Sequence, residues 1–245
     1  MSDIPQVTPY NSADASKKNQ VTRMFDSIAP YYDFLNRLLS LGVDVYWRKK
    51  AIQKLKNVPH AYMLDVATGT ADLAIEATKI LQPVKVVGMD ISKEMLRLGD
   101  KKIQKAGLEN IIVLENGDSE KLRYDSASFD VTMSAFGVRN FENLLKGLQE
   151  MYRVLKPGGT IMVLEFSKPF GFPLKQLFGI YFKYILPLIG RIKSKDPKAY
   201  TYLYESVQVF PDYDKFSQKL LEAGFKEATF FPLTGGICTI YIGKK

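Results

Sequence analysis

Three carboxylates recur in the first half of the chain, Asp65, Asp90 and Asp118. Each stands at or just after the end of a short apolar run (YMLDV, KVVGMD, IIVLENGD), the pattern of a strand buried in a parallel sheet. The C-terminal edge of such a sheet is where α/β folds hold their ligands. A lone aspartate at a strand tip is usually a helix cap or a solvated turn; three on consecutive strands are more specific. Asp65 leads into Ala67, Thr68, Gly69, Thr70 and Ala71, small residues around one glycine, after which a helical pattern opens. This order is strand, ligand loop, helix, with Gly69 where the backbone must approach a bulky ligand. The loop lacks GxGxxG, and a carboxylate at its entrance repels phosphate, so a dinucleotide cradle is poorly supported. It suits a cation or an ammonium-bearing ligand, and S-adenosylmethionine is both. Asp90 then accepts the ribose hydroxyls, and Asp118 the exocyclic amine of adenine.

A second polar group follows the fourth apolar run, FDVTMS, in the stretch AFGVRN. Arg139 and Asn140 fall just beyond the end of a central strand, where substrate chemistry occurs in this architecture. Arg139 there either faces a developing anion or pairs with a neighbouring loop. Tyr31, Tyr32 and Asp33 stand at a helix entrance, and the tyrosines either face the ligand or pack. His60 is the one histidine, expected in an exposed loop, and Cys238 the one cysteine. These counts exclude a His-based metal site, a metal cluster and a disulfide framework, and weaken any Ser–His or Cys–His hydrolase.

With 245 residues, 46% of them apolar, the chain can bury one large core. Residues 1–16 are polar and expected to be loose. The spacing predicts a helix over Lys17–Ile28 stopped by Pro30, another over YYDFLNRLLSLG and a third over Val45–Leu55. Residues 1–57 thus form a flexible terminus and helical cover, and 58–245 the main domain. Strands are expected at Tyr62–Val66, Lys85–Met89, Ile111–Leu114, Phe129–Ser134 and Thr160–Phe166, with helices between them and a sharp turn at Lys156–Gly159. Two final strands, Phe225–Phe231 and Gly236–Ile242, imply an antiparallel hairpin. The fold class is α/β: a Rossmann-like, seven-stranded, mostly parallel sheet with a C-terminal antiparallel hairpin. Residues 168–210 interrupt it with an aromatic insert whose core is FGFPLKQLFGIYFKYILPLIG, followed by the basic run Arg191, Lys193, Lys195 and Lys198. Lysines inside that core disfavour a membrane span. An amphipathic helix over a hydrophobic pocket, touching a membrane surface, fits better; an oligomer interface, such as a homodimer, or a plain core helix is the alternative. The net charge of +8 is dispersed, with no aromatic–basic module, so nucleic acid is not an expected partner. Without a charged-then-apolar leader, the default location is cytoplasmic.

Several stretches carry a resemblance. FDSIAPYYD (25–33), DVATGTADLA (65–74), GMDIS (88–92), FGVRN (136–140), YRVLKPGG (152–159) and LEFSKP (164–169) are similar to those of class I S-adenosylmethionine-dependent methyltransferases. FGVRN and LEFSKP point more closely to the bacterial UbiE/MenG quinone-ring C-methyltransferases. The resemblance covers about Val21 to Gly243. It implies that Asp65, Ala67, Thr68, Gly69 and Thr70 hold the cofactor in the loop, Asp90 and Ile91 at the ribose, and Asp118 and Ser119 at the adenine. Ser134 lies at the substrate-side strand end. It also implies methylation of a ring carbon of demethylmenaquinol, a prenylated hydroquinone, giving menaquinol and S-adenosylhomocysteine. A benzoquinol or dual specificity is the runner-up, then another phenol or a lipid, then a non-catalytic assembly role. Arg139 would face the phenolate, with Tyr32 and Asp33 beside it, and the insert would hold the isoprenoid tail. Departures are Thr68 where Cys or Gly is common, Ala71 where Gly is usual, and Asp44 where His or Arg is usual.

Overall fold

The computed structural model describes residues 7–10, 15–40, 42–180 and 197–245. Strands β1 (Tyr62–Val66), β2 (Lys85–Asp90), β3 (Ile112–Asn116), β4 (Phe129–Ala135), β5 (Leu155–Phe166), β6 (Glu227–Leu233) and β7 (Cys238–Lys244) form one sheet. Their order is β3-β2-β1-β4-β5-β7-β6, and β7 runs antiparallel to both its neighbours. The seven-stranded sheet with an antiparallel C-terminal hairpin is as expected from sequence. Helices α3 (Asp72–Leu81), α4 (Lys93–Ala106) and α5 (Leu144–Val154) are the crossovers of the parallel strands. In β1 every residue after Tyr62 is buried, because helices cover both faces of the sheet. The β1–β2 register sets Asp65 beside Gly88 and Val66 beside Met89. The tips of β1, β2 and β4, and the loops beyond them, therefore gather at one edge.

Helices α1 (Lys17–Leu39) and α2 (Val43–Gln53) precede the sheet. Here the sequence expectation fails: α1 runs unbroken through Pro30. Proline deletes one backbone hydrogen bond and crowds the carbonyl of Asp26, but tertiary anchors on both sides of it hold the helix. Asp26 accepts a hydrogen bond from the Ser92 hydroxyl at 2.6 Å, and Asp33 one from Thr70 at 2.6 Å. Other corrections are local. Pro9 is buried and the Tyr10 backbone N–H donates to Gln20 Oε1, so this part of the leading segment is tied down. His60 is half-buried, with its ring nitrogens against the carbonyls of Val58 and Leu81. Lys156–Gly159 stays within β5, with the register against β4 jumping from Phe129–Leu155 to Val131–Thr160.

Of the insert, α6 (Leu174–Ile180) and α7 (Pro197–Val209) are described. Residues 181–196, with the second half of the expected apolar core (YFKYILPLIG) and Arg191, Lys193 and Lys195, lie outside the described residues. No helix among the described residues is long and apolar enough to cross a membrane. Helix α8 (Asp214–Glu222) packs on β6 and β7.

One close approach couples the fold to the ligand loop. A Cβ on Gly99 of α4 would lie 2.7 Å from Leu114 Cδ1 and 3.3 Å from the Thr70 backbone. Gly99→Ala should therefore overpack this contact, costing about 1–3 kcal/mol. Thermal unfolding should show Tm lowered by roughly 2–10 °C, and ligand binding at the loop should weaken with it.

Candidate active site

The loop after β1 alternates left-handed residues: Ala67 at φ 57°, Gly69 at 56° and Ala71 at 65°. Each alanine costs about 1–2 kcal/mol there, so the loop is held by its contacts. The Thr68 N–H donates to Met89 O at 3.0 Å, and the Gly69 N–H to Asp90 Oδ2 at 2.8 Å. The Thr68 hydroxyl donates to Asp65 Oδ2 at 2.6 Å. At Gly69 an added Cβ would come no closer than 3.9 Å to the Tyr32 ring among the described residues, so glycine there spares the left-handed cost that its alanine neighbours carry and leaves the cavity side of the loop open.

Three cavities meet here. The first runs from Gly69, Asp90 and Ile91 to Asp118 and Ser119, and α1 closes it with Lys18, Val21 and Phe25. The second lies against the loop itself, with Asp65, Thr68, Thr70 and Arg48 on its wall. The third is walled by Asn36, Ser40, Asp44, Arg139, Phe166, Leu203 and Val207. Tyr32 and Phe136 belong to all three. Phe136 holds a left-handed φ of 58°, strained for a bulky residue, which sets its ring at this junction.

The charges divide along the same lines. Asp65 is fully buried, and burial, with the Asp90 charge adding, pushes its pKa up to about 7. Burial likewise pushes Asp90 to about 6, against backbone donors from Ser92 and Gly69. Asp118 is half-buried, yet its carboxyl sits below the usual range because the Lys18 ammonium hydrogen-bonds it at 2.7 Å. In the third cavity Arg139 Nη1 donates to Glu165 Oε1 and to Phe136 O, both at 2.6 Å, while its Nε is buried without a partner. Arg139 thus both lines a cavity and makes the salt bridge that was its alternative reading. Burial raises the Tyr32 phenol, which stays protonated and can donate.

Of the residues named from sequence, Asp65, Ala67, Thr68, Gly69, Thr70, Asp90, Ile91, Asp118, Ser119, Tyr32 and Arg139 all line these cavities. Ser134 is fully buried beneath them with its hydroxyl unpartnered. Asp33 lines none of the three; it bonds the Thr70 hydroxyl and Lys102 Nζ, tying α1 to the loop and α4. Sequence reasoning missed Lys18, Asn36, Arg48 and Phe136. Lys17 was missed too; its ammonium, lowered to about 8 by burial, donates to Phe141 O at 2.9 Å. Spacing along α1 held a signal, since Tyr32, Asn36 and Ser40 recur every fourth residue.

The Asp65 carboxylate, the acidic first cavity and the small-residue loop fit S-adenosylmethionine, whose ammonium and sulfonium are both cations. With a folded pKa of about 7 against about 3.9 unfolded, the folded chain holds an extra proton between those values. The unliganded protein therefore loses stability as pH rises toward 7. Binding a cation needs the ionised carboxylate, so titration calorimetry should show affinity falling below pH 7 by up to about tenfold per unit. Asp65→Asn should flatten that dependence, weaken binding, and raise the Tm of the unliganded protein at pH 8.

The model of the ubiE/COQ5 methyltransferase family matches residues 13–245. A demethylmenaquinone methyltransferase of Bacteroides fragilis is 45% identical over 240 residues, covering 98% of each chain. A protein of the same name from Chlorobaculum tepidum is 46% identical over 242 residues, 97% of each. A ubiquinone/menaquinone biosynthesis C-methyltransferase of Geotalea daltonii is 44% identical, over 94% of this chain and 97% of that one. Among solved structures, a SAM-dependent methyltransferase of Thermotoga maritima superposes with TM-score 0.64 at 17% identity, covering 91% of this chain and 99% of that one. The [4+2]-cyclase SpnF superposes with TM-score 0.60 at 14% identity, covering 100% and 99%. Such distant likeness shows the fold alone, and the cyclase shows that this fold hosts other chemistry. Identity across nearly the whole length carries more: this chain belongs to the ubiE/COQ5 methyltransferase family, and its cofactor is S-adenosylmethionine.

Proposed function

We propose that the protein methylates a ring carbon of demethylmenaquinol, giving menaquinol and S-adenosylhomocysteine. The observation that carries this reading is Arg139 on the wall of a separate cavity, lined by Phe166, Leu203 and Val207, that joins the loop cavities at Tyr32 and Phe136. The names of the relatives support the acceptor. Bound S-adenosylmethionine supplies an electrophilic methyl group. Asp65 would hold its ammonium, Asp90 and Ile91 its ribose, and Asp118 with Ser119 its adenine. Tyr32 and Phe136 would keep water from the junction, where the reacting atoms must come within about 3–3.5 Å.

A quinol ring becomes a strong carbon nucleophile when one hydroxyl is ionised. A guanidinium is a donor and not a base, so Arg139, on the cavity wall, would stabilise that oxyanion rather than remove the proton. Asp33, bonded to Thr70 and Lys102, would position the loop rather than touch substrate. Phe170 and Phe172, 59% and 85% exposed at the start of the insert, suit contact with a prenyl tail or a membrane surface. This reading places the enzyme at the inner face of the membrane.

The test is transfer of label from methyl-labelled S-adenosylmethionine to a reduced, short-tailed demethylmenaquinol, with the matching benzoquinol in parallel. Label in the naphthoquinol is expected; label in both widens the acceptor range, and label in neither, with cofactor bound, overturns the acceptor. Arg139→Lys, which keeps a cation for Glu165, should lower kcat by about 10²–10³-fold with cofactor affinity unchanged.

A further inference from the structure

Arg48 of α2 stands on the wall shared by the loop cavity and the third cavity, and is 7% exposed. Its two ion pairs, to Asp44 at 2.5 Å and to Asp72 at 3.5 Å, both run through Nη2. Among the described residues Nε and Nη1 have no hydrogen-bond partner, and neither is sealed from solvent. The two acids do not use up its charge. Asp44 also accepts the Ser40 hydroxyl at 2.6 Å and lies 3.7 Å from Arg37, while Asp72 is paired with Lys102.

The charged residues lining the loop cavity are Asp65, Asp72 and Arg48. Asp65 puts a carboxylate on one wall and Arg48 offers open donors to an anion on another. Helix α3 opens onto the same cavity through Asp72 and Leu73. The Ala74 N–H of its first turn serves Asp65, and the remaining first-turn N–H groups add positive potential on that side. A cavity with an anionic acceptor, a cationic donor and a helix N-terminus is complementary to a zwitterionic amino-acid group. We propose that Arg48 binds the carboxylate of the methionyl end of S-adenosylmethionine, opposite the ammonium held by Asp65. An arginine suits this task because its planar fork can hold Asp44 with one nitrogen and a carboxylate with the others. The inference rests on the cofactor and not on the identity of the methyl acceptor, and its test needs no acceptor.

The experiment is titration calorimetry of the full chain with S-adenosylhomocysteine and with its decarboxylated analogue, S-adenosyl-3-thiopropylamine. The wild-type protein should prefer the carboxylate-bearing ligand by about 10- to 100-fold. Arg48→Gln should erase that preference, losing affinity for S-adenosylhomocysteine while holding the analogue within about threefold. Arg48→Lys should retain part of the preference. Equal wild-type affinities for the two ligands would overturn the proposal without recourse to any variant. An equal loss of both ligands in a folded Arg48→Gln protein would overturn it too, since that is what a cavity-shaping residue would give.

Discussion

Asp65 is wholly buried at the tip of a central parallel strand, where the Thr68 hydroxyl and the Ala74 backbone N–H ease its charge but burial, with the Asp90 charge adding, still raises its pKa. The β1–β2 register forces the proximity, because parallel strands bring their C-terminal tips to one edge. Neither group has a cation beside it among the described residues, so ionising the pair is costly until a cationic ligand arrives. The surrounding contacts contain that cost without removing it. Gly69 and Ser92 give Asp90 backbone donors. The site is preorganised for a cation at the expense of the empty state, a trade between stability and function.

Helix α1 makes that arrangement tolerable by reaching every loop on the edge. Lys17 meets the carbonyl of Phe141, Lys18 meets Asp118, Asp26 meets Ser92, and Asp33 meets Thr70 and Lys102. These anchors run from Lys17 to Asp33 of a 23-residue helix, about 24 Å along its axis. A break at Pro30 would separate Asp33 and Tyr32 from the two lysines, and the cavities would lose their common wall. Pro30 therefore sits in a helix kept continuous by tertiary contacts on both sides of it, which propensity alone does not register.

The parts of the molecule legible in the sequence are those written in local pattern. Apolar runs ending in Asp65, Asp90 and Asp118 marked strand tips, and the small-residue loop marked its own approach to a ligand. The paired terminal strands marked the hairpin. What escaped depends on segments brought together only by folding. Lys18 matters because Asp118, 100 residues later, comes to lie against it. Arg48 matters because α2 reaches the loop cavity. Asp33 looked like a ligand neighbour because the adjacent Tyr32 does face the cavities, yet a helix sends adjacent residues in different directions, Tyr31 among them lining none of the three. His60 sits in a loop as expected, but two carbonyls from separate segments close around it.

The two ends of the site have opposite electrical character, and this constrains the chemistry more than any single residue. On the cofactor side Asp65, Asp90 and Asp118 outnumber Lys18 and Arg48, which suits a ligand with a net positive charge. On the far side Arg139, held at 2.6 Å by the fully buried Glu165, keeps an unpartnered N–H. Its pair is buried, so substituting neither partner alone is neutral to the fold, and Glu165 cannot move away to leave a free cation. Between them stand Tyr32, kept protonated by burial, and Phe136, both uncharged. In the proposed reaction an electrophilic cation and a nucleophilic anion would each be favoured on their own side and meet beside these neutral aromatic groups. Charge neutralisation during transfer would then fall between fixed ions of opposite sign, held in place by burial, and such preorganised charges act on a reaction without having to reorient.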